Sequence, residues 1–163
     1  MASRDSTRLI LPHRPRRNRK AEWSRRLVRE NHLTTDDLIW PIFIVDGVNQ
    51  RVPVASMPGV ERLSVDEAAR DAEKAAKLGI PVIALFPYTD PAKRDVSGSE
   101  ALNSNNLVCQ ACRAIKKAAP SVGLMTDVAL DPYTSHGHDG LLSGETILND
   151  ETVCQLATQA RSE

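Results

Sequence analysis

The sequence predicts an α/β fold that forms about the first three strand–helix units of a (β/α)8 barrel (TIM barrel), preceded by an extended basic arm. Short apolar runs begin near residues 38, 80 and 122, and helix-forming segments follow each run. Runs of about four to eight apolar residues are typical of strands buried on both faces of a parallel sheet. Strands that alternate with helices indicate right-handed βα units.

The predicted arm, residues 1–33, is strongly basic. Ten of the 21 Lys and Arg lie between Arg4 and Arg29, against two acidic residues. From residue 30 onward 11 basic residues face 19 acidic ones, which leaves a net charge of about −8 on the body. A basic arm binds nucleic acid or an acidic protein surface. Apolar residues within the arm, such as Trp23 and Leu27, favour the surface of a neighbouring subunit, so no nucleic-acid partner is expected.

The first strand–helix unit opens with the apolar run Leu38–Val45, which predicts a buried strand. Pro41 cannot donate to a sheet ladder, so it indicates a strand start or a bulge. Ser64 and Glu67 match the capping-box pattern at the beginning of a helix, and Gly79 marks the end of that helix. Small residues form one helix face: Ala68, Ala69, Ala72, Ala75 and Ala76.

The second unit has a strand at Ile80–Phe86 and a helix that ends before Pro120. The apolar positions of this helix recur at helical spacing; they are Leu107, Val108, Ala111, Ile115 and Ala118. Cys109 and Cys112 lie inside the helical pattern, which favours buried small side chains over a redox pair. The polar loop over residues 90–105 is longer than a simple connection, and such loops are usually functional or mobile.

The third unit predicts a strand over Val122–Leu130, a loop over 131–144, and a helix capped by Asn149 or Asp150. One face of this helix is apolar, with Val153, Leu156, Ala157 and Ala160. A complete barrel needs about 250 residues, so three units leave strand edges unpaired. Residues 34–163 are therefore expected to be the truncated first part of a barrel, poorly soluble in isolation.

Composition indicates the cellular compartment in which the chain is expected. It has three cysteines, a number that favours reduced thiols in the cytoplasm over a disulfide framework. No apolar run approaches the roughly 20 residues of a membrane span, and the basic N-terminus contains no signal-peptide core. We expect a cytoplasmic protein without a membrane partner.

The densest chemistry lies between residues 127 and 140, at the end of the third predicted strand. Three carboxylates and two imidazoles fall within 13 residues: Asp127, Asp131, His136, His138 and Asp139. Barrel enzymes place their active sites at this end of a strand. Grouped carboxylates repel one another unless a cation or proton lies between them, and oxygen ligands favour Mg²⁺ over Zn²⁺. The same residues also suit turn hydrogen bonds, and the spacing leaves both interpretations open.

The segment DVALDPYTSHGHDG, residues 127–140, resembles the metal-site segment of the porphobilinogen synthase (delta-aminolevulinic acid dehydratase) family. Zinc-dependent members have cysteine at three positions, which match Ala129, Asp131 and Asp139 here. The sequence thus resembles the N-terminal half of the aspartate-rich, magnesium-type branch. Shorter stretches agree in collinear order: RPRRNR at 14–19, PIF at 41–43, SMPGV at 56–60 and LFP at 85–87.

The resemblance implies a (β/α)8 barrel whose arm embraces a neighbour in a homo-octamer. The implied reaction condenses two 5-aminolevulinate molecules to porphobilinogen with loss of two waters, on the route to haem and other tetrapyrroles. Asp131 and Asp139 would hold Mg²⁺ or its bound water. Asp127 would position the substrate amine or carbonyl or move protons. Ser135 is a weaker catalytic candidate, which with His136 and His138 would support the site or the loop.

The family also forms Schiff bases on two lysines in later strands. The lysines present here do not match those positions; they are Lys20, Lys74, Lys77, Lys93, Lys116 and Lys117. The chain by itself is therefore expected to be inactive. The alternative is a non-catalytic half-barrel that acts by association with intact subunits. A third interpretation is an unrelated metal-dependent barrel hydrolase that uses the Asp/His loop.

Overall fold

The computed structural model of the protein describes residues 12, 13 and 15–163. The chain divides into two compact units, of which one ends at Leu33 and the other begins at Thr34. The first unit contains two short helices, α1 (Arg17–Lys20) and α2 (Glu22–Leu27). Residues 1–11 and Arg14, part of the predicted arm, lie outside the described residues.

The second unit is built on a five-stranded sheet in the order β2-β3-β1-β4-β5. The strands are β1 (Ile39–Val45), β2 (Arg51–Pro53), β3 (Glu61–Leu63), β4 (Val82–Tyr88) and β5 (Gly123–Thr126). Strand β1 pairs in parallel with β3 and β4, and β4 pairs in parallel with β5. The short β2 runs antiparallel to β3. The predicted α/β fold with a parallel sheet is confirmed.

Two helices cover one face of this sheet: α3 (Val65–Leu78) and α4 (Leu107–Ala118). Alternate strand residues such as Ile44 and Leu85 enter a core with the alanine face of α3. Ile44, Leu85 and the alanines at 68, 72 and 75 are fully buried, whereas those at 69 and 76 are partly buried. Alanines let the helix backbone approach the sheet closely. The predicted cap is also present, because Gly79 ends α3 with φ +76°, in the left-handed region that glycine adopts readily.

The opposite face of the sheet is not covered by any helix among the described residues. Ile39, Tyr88 and Met125 are 49%, 42% and 48% exposed. The sheet is therefore packed on one side only.

Proline 41 lies within β1, opposite Ala84 of β4, and neither starts the strand nor marks a bulge. Strand β3 begins to pair with β1 only at Phe43. At Pro41 the strand therefore has a neighbour on one side, which is where a residue without an amide hydrogen is tolerated.

The predicted capping box at Ser64 is wrong. Ser64 is the N-cap of α3, but its hydroxyl accepts from Gln50 N–H at 2.9 Å and donates to the Asp66 carboxylate at 2.6 Å. Glu67 instead accepts from Arg51 Nε at 2.6 Å. Contacts from Gln50 and from Arg51, at the start of β2, thus replace the predicted local pair.

Arg51 joins β2 to three acidic side chains. Its guanidinium binds both oxygens of Asp71, at 2.8 and 3.1 Å, and it also contacts Glu67 and Glu61. Asp71 and Glu67 are buried, at 5% and 8% exposure. This Arg51 cluster ties the edge hairpin to helix α3.

Acidification is expected to destabilise the second unit through Asp71. Burial raises the pKa of Asp71, but hydrogen bonds from Arg51 and Lys74 outweigh burial, so its pKa falls below the ordinary value of 3.8. A carboxyl group with a lowered folded pKa contributes stability above its unfolded pKa, and the contribution disappears as the pH falls through the folded pKa. The free energy of unfolding, measured with urea, should therefore fall less between about pH 5 and about pH 2.5 in Asp71→Asn than in the wild type. Equal losses would contradict this assignment.

The third strand is shorter than the predicted Val122–Leu130. Strand β5 ends at Thr126, and its pairing with β4 covers only Val82–Leu85. Beyond Thr126 the chain makes local bonds instead, since Leu130 N–H donates to the Asp139 carboxylate at 2.6 Å. The pairing of β5 with β4 thus ends at Thr126, and the chain that follows is held by the hydrogen bond between Leu130 N–H and the Asp139 carboxylate.

The last helix, α5 (Asn149–Ser162), follows a small hairpin of β6 (Leu142–Ser143) and β7 (Thr146–Ile147). Its N-cap is Leu148, so the predicted cap at Asn149 or Asp150 is wrong. The predicted apolar face is wrong as well, because Val153, Ala157 and Ala160 are exposed and only Leu156 is half-buried. The helix packs instead on a small cluster of Ala101, Leu130, Tyr133 and Leu141. None of the helices that the structure describes is long and apolar enough to cross a membrane.

Candidate functional site

Polar side chains gather at the carboxyl ends of the parallel strands. Asp46 follows β1, Thr89 and Asp90 follow β4, and Asp127 follows β5. Because β1, β4 and β5 are parallel, these residues share one edge of the sheet. Ligands of open and closed α/β folds bind at this edge.

The segment from Asp127 to Gly140, here called the carboxylate loop, folds around Leu130. The carbonyl of Leu130 accepts from Tyr133 N–H at 2.8 Å and from Thr134 N–H at 2.9 Å. Its amide donates to Asp139, and its side chain is fully buried. These bonds bring Asp139 back toward the start of the loop while Asp127, Asp131 and Asp139 stay exposed.

Asp131 lies within electrostatic reach of the other two carboxylates. Although its side chain is exposed, partial desolvation by the surrounding loop raises the pKa of Asp131, and the negative charges of Asp139 and Asp127 raise it further. Arg94, from the loop after β4, opposes this shift. Asp131 therefore lies within electrostatic range of the other two predicted aspartates and of one cation, Arg94, which the sequence pattern did not assign to the site.

Arg94 is held in place by the backbone of Thr89. Its Nε and Nη2 atoms donate to Thr89 O at 3.1 and 2.8 Å, and its guanidinium carbon lies 5.8 Å from the centre of the Tyr88 ring. These two hydrogen bonds use only part of its donor capacity. Its Nη1 atom makes no hydrogen bond among the described residues, so it can donate to an oxygen ligand.

The described residues contain no group of three His, Cys, Asp or Glu side chains close enough to hold a metal ion. A Mg²⁺ ion needs only one or two carboxylates, since it keeps several waters and takes other oxygens from its substrate. Asp131 and Asp139 fit such a partial, all-oxygen set. The carboxylate loop itself contains no cysteine. Cys109 is buried in α4, and burial raises the pKa of Cys112 to about 11.

Ser135 and the two histidines of the loop make contacts within and between loops. Ser135 N–H donates to Asp95 O at 2.8 Å, and its hydroxyl has no hydrogen-bond partner among the described residues. His136 Nδ1 accepts from His138 N–H at 3.1 Å, which places a proton on Nε2 in the neutral ring. That nitrogen donates to Val96 O at 3.2 Å.

All six lysines of the chain are exposed at the surface. Lys93 is near the strand ends, but its hydrogen bond to Asp46, 2.9 Å long, raises its pKa. A lysine nucleophile needs the opposite shift, produced by desolvation or neighbouring positive charge. The described chain therefore holds no lysine that is suited to Schiff-base chemistry.

Aromatic residues also lie near this edge, although the sequence did not predict them as part of the site. Phe43 and Phe86 lie side by side in register on the uncovered face, with ring centres 6.0 Å apart. The Arg62 guanidinium lies 4.5 Å from the Tyr88 ring centre. The repeat of about 42 residues could have paired Phe43 with Phe86, but Arg62 sits in a three-residue strand without a periodic pattern.

Comparison with known proteins identifies the family of this chain. The family model described as delta-aminolevulinic acid dehydratase matches residues 12–163. The chain is 70% identical over 155 residues to a delta-aminolevulinic acid dehydratase of Bradyrhizobium diazoefficiens, covering 95% of this chain and 44% of the relative. Identity with the Chlamydia pneumoniae dehydratase is 42%, covering 89% of this chain and 44% of that protein.

A solved structure agrees with the sequence relatives. The crystal structure of delta-aminolevulinic acid dehydratase from Toxoplasma gondii, in complex with the reaction product porphobilinogen, superposes with a TM-score of 0.86 at 42% identity. The match covers 93% of this chain and 44% of the other, so the chain spans less than half the length of these relatives. The chain belongs to the delta-aminolevulinic acid dehydratase family.

Proposed function

We propose that this chain is the amino-terminal part of a porphobilinogen synthase, which condenses two 5-aminolevulinate molecules to porphobilinogen with loss of two waters. Family membership supports the reaction, and the product complex of the Toxoplasma gondii relative supports the ligand. The observation that carries the proposal is the geometry after β5: Asp127 directly follows the strand, and the 2.6 Å hydrogen bond from Leu130 N–H brings Asp139 back toward Asp131.

Each aspartate has a proposed role that follows from its position. Asp127 directly follows β5 and is exposed, so it can orient the amine or carbonyl of a bound substrate and exchange a proton with it. Asp131 and Asp139 provide two carboxylates for Mg²⁺ or for its bound water. Ser135 is exposed on the same loop, where its hydroxyl can donate to a substrate oxygen.

The proposed metal is Mg²⁺, as in the aspartate-rich branch that the loop resembles. Desolvation, and after it the negative charges of Asp139 and Asp127, raise the pKa of Asp131, and a cation between the carboxylates removes that repulsion. When bound, the ion supplies positive charge beside the substrate oxygens. The chain's own contribution is to hold two oxygen ligands near Arg94.

The remaining parts of the proposal concern the assembly. We propose that this unit completes a (β/α)8 barrel with later strands of a longer chain, in a cytoplasmic homo-octamer. The uncovered sheet face supports additional strands in the fold, since large apolar side chains such as Met125 stay exposed here. A basic arm with exposed Trp23 and Leu27, at 71% and 77%, supports a protein partner for the first unit.

A second candidate is a non-catalytic half-barrel that associates with intact subunits. It is favoured by the open edge of β1 before Phe43 and by an adjoining cavity of about 610 Å³. Trp40, Ile42 and Met57 are among the residues that line the cavity. An unpaired strand edge beside an apolar cavity is suited to accept a strand from another chain.

Reductive trapping tests whether this polypeptide is sufficient for the chemistry. The chain is incubated with 5-aminolevulinate and borohydride, and its mass is measured beside that of the intact Bradyrhizobium diazoefficiens relative. A lysine amine and the ketone form an imine with loss of water, and hydride reduces the imine to a stable amine. We expect the mass increment on the intact relative only. A labelled lysine in this chain would contradict the assignment of the Schiff-base lysines to later strands.

Complementation tests the reaction itself. The carboxyl-terminal remainder of the same relative is supplied as a separate chain, and porphobilinogen formation is followed. We expect product with the wild-type chain, at a rate at least about 100-fold above that of Asp127→Asn. The matched control is the relative's own amino-terminal part with the same remainder. Product in that control but none with this chain would contradict the proposed function, whereas copurification without turnover would support the second candidate.

A further inference from the structure

The loop after β4 and the carboxylate loop are joined by backbone hydrogen bonds that centre on one residue, Asp95. Asp95 N–H donates to Tyr133 O at 3.3 Å, and Asp95 O accepts from Ser135 N–H at 2.8 Å. The two bonds lie on either side of Thr134, with which Asp95 forms an isolated parallel bridge. Thr134 is fully buried. The backbone of Asp95 thus fixes the middle of the carboxylate loop.

The side chain of Asp95 organises its own loop at the same time. Its Oδ1 accepts from Ser97 N–H at 2.8 Å, Ser97 Oγ at 2.8 Å and Ser99 N–H at 3.1 Å. Its Oδ2 accepts from the Ser99 hydroxyl. These four bonds favour the charged carboxylate, so they hold the pKa of Asp95 well below its usual range.

The segment that Asp95 organises is fixed to its surroundings by three further contacts. Val96 O accepts from His136 Nε2 at 3.2 Å, and Ser97 O accepts from Gln155 Nε2 of α5 at 2.5 Å. Gly98 has φ +62°, and a Cβ atom at this position would lie 3.3 Å from the Thr134 side chain. The tight turn therefore packs directly on the residue that Asp95 brackets.

Tyr133 and Thr134 are linked to the acidic side chains through the backbone of Leu130. Tyr133 N–H and Thr134 N–H both donate to Leu130 O, and Leu130 N–H donates to Asp139 Oδ1 at 2.6 Å. Asp131 follows Leu130, so both acidic side chains depend on the position of this turn. If the segment of residues 133–135 shifted, the side chains of Asp131 and Asp139 would move with it.

We infer that Asp95 is a positioning residue for the carboxylate loop, and that its four side-chain hydrogen bonds hold Asp139 against the Leu130 amide. Asp95 does not touch a reacting atom in this role. The link to metal binding rests on the proposed function, because it assumes that Asp131 and Asp139 bind Mg²⁺. The link to loop geometry does not depend on that assumption.

Amide hydrogen exchange, resolved by nuclear magnetic resonance on the full chain, tests the inference. Asp95→Ala removes all four acceptor contacts, so exchange of the Ser135 and Leu130 amides should accelerate by about tenfold or more. Asp95→Asn keeps Oδ1 as an acceptor but removes the charge, and should restore part of the protection. Amides in α3 and β4 should keep their protection in both variants, which separates local positioning from a global loss of stability.

The matched control is Asp90→Ala. Asp90 is exposed in the same loop and also accepts one local bond, from Ala92 N–H at 2.9 Å, but its side chain makes no hydrogen bond to the carboxylate loop among the described residues. It should leave Ser135 and Leu130 unchanged. Unchanged exchange in Asp95→Ala, or equal acceleration in Asp90→Ala, would overturn the inference.

A second variant and a Mg²⁺ titration complete the test. If Asp95→Ala does not fold, the Ser97→Ala/Ser99→Ala pair removes the two hydroxyl donors while keeping the backbone, and unchanged exchange at Ser135 then overturns the inference. A Mg²⁺ titration of wild type and Asp95→Ala should show binding weakened by about tenfold. Absence of Mg²⁺ binding in the wild type would reject the proposed metal site, while the amides of Ser135 and Leu130 would still decide the role of Asp95.

Discussion

Replacing Asp131 and Asp139 together with asparagine is expected to weaken Mg²⁺ binding by this chain at least about 100-fold. Loss of a supporting partner outside the ligand set already costs about 10- to 100-fold in metal affinity, and these two side chains are the proposed direct ligands. Asparagine keeps the side-chain volume, and its oxygen can still accept from Leu130 N–H. The change therefore removes the two negative charges while preserving the loop hydrogen bond. Isothermal titration calorimetry with Mg²⁺ measures the difference.

The control for this prediction is the pair Asp150→Asn and Glu151→Gln. Both residues are exposed in the first turn of α5, and the pair removes the same two negative charges. Their loss should change Mg²⁺ affinity only through general electrostatics, which added salt screens. Equal weakening in the two double variants would show that Mg²⁺ responds to overall charge and that Asp131 and Asp139 form no specific site.

Apolar patterning was sufficient to predict the main strands and helices of the second unit. Strands β1 and β4 are buried on their helix side and read as apolar runs, and the α4 positions that recur at helical spacing are largely buried. Long-range packing and local pattern agree in these elements. They disagree in α5, where Val153 is 57% exposed and the predicted apolar face is mostly uncovered, because the helix packs on the carboxylate loop and not on the sheet.

The candidate site could be predicted only as far as it is local in sequence. Asp127, Asp131 and Asp139 fall within one segment, so spacing was enough to group them. Arg94 and Asp95 reach the same place through the parallel pairing of β4 with β5. The contribution of Asp95 depends on backbone bonds to Tyr133 and Ser135, about 40 residues further along the chain, and no pattern in either segment indicates those bonds.

The short strands β2 and β3 were not predicted, for a related reason. Strands β2 and β3 have three residues each, which is too few for a recognisable period. What holds them in place is charge: Arg51 on β2 reaches across the hairpin to α3. The same contact displaced the predicted capping box, since Glu67 binds Arg51 and Arg70 and not the start of its own helix.

Arg51→Ala is accordingly expected to lower the free energy of unfolding of the second unit by about 3 kcal/mol. The change leaves Asp71 and Glu67 buried without their main partner, and an uncompensated buried charge is far more costly than a lost surface pair. Urea unfolding near neutral pH measures the loss. Arg70→Ala is the matched control: Arg70 also contacts Glu67, but its side chain is 56% exposed, so its removal should cost no more than about 1 kcal/mol.

Neutralising the acidic partners of Arg51 tests why Arg51→Ala costs more stability than Arg70→Ala. Adding Glu67→Gln and Asp71→Asn to Arg51→Ala removes the two buried charges, so part of the lost stability should return even though three side chains have changed. If stranded charge is the cause, the triple variant is more stable than the single one. If Arg51 acts mainly by packing its aliphatic stem, the triple variant recovers nothing, and Arg51→Met alone restores the wild-type value.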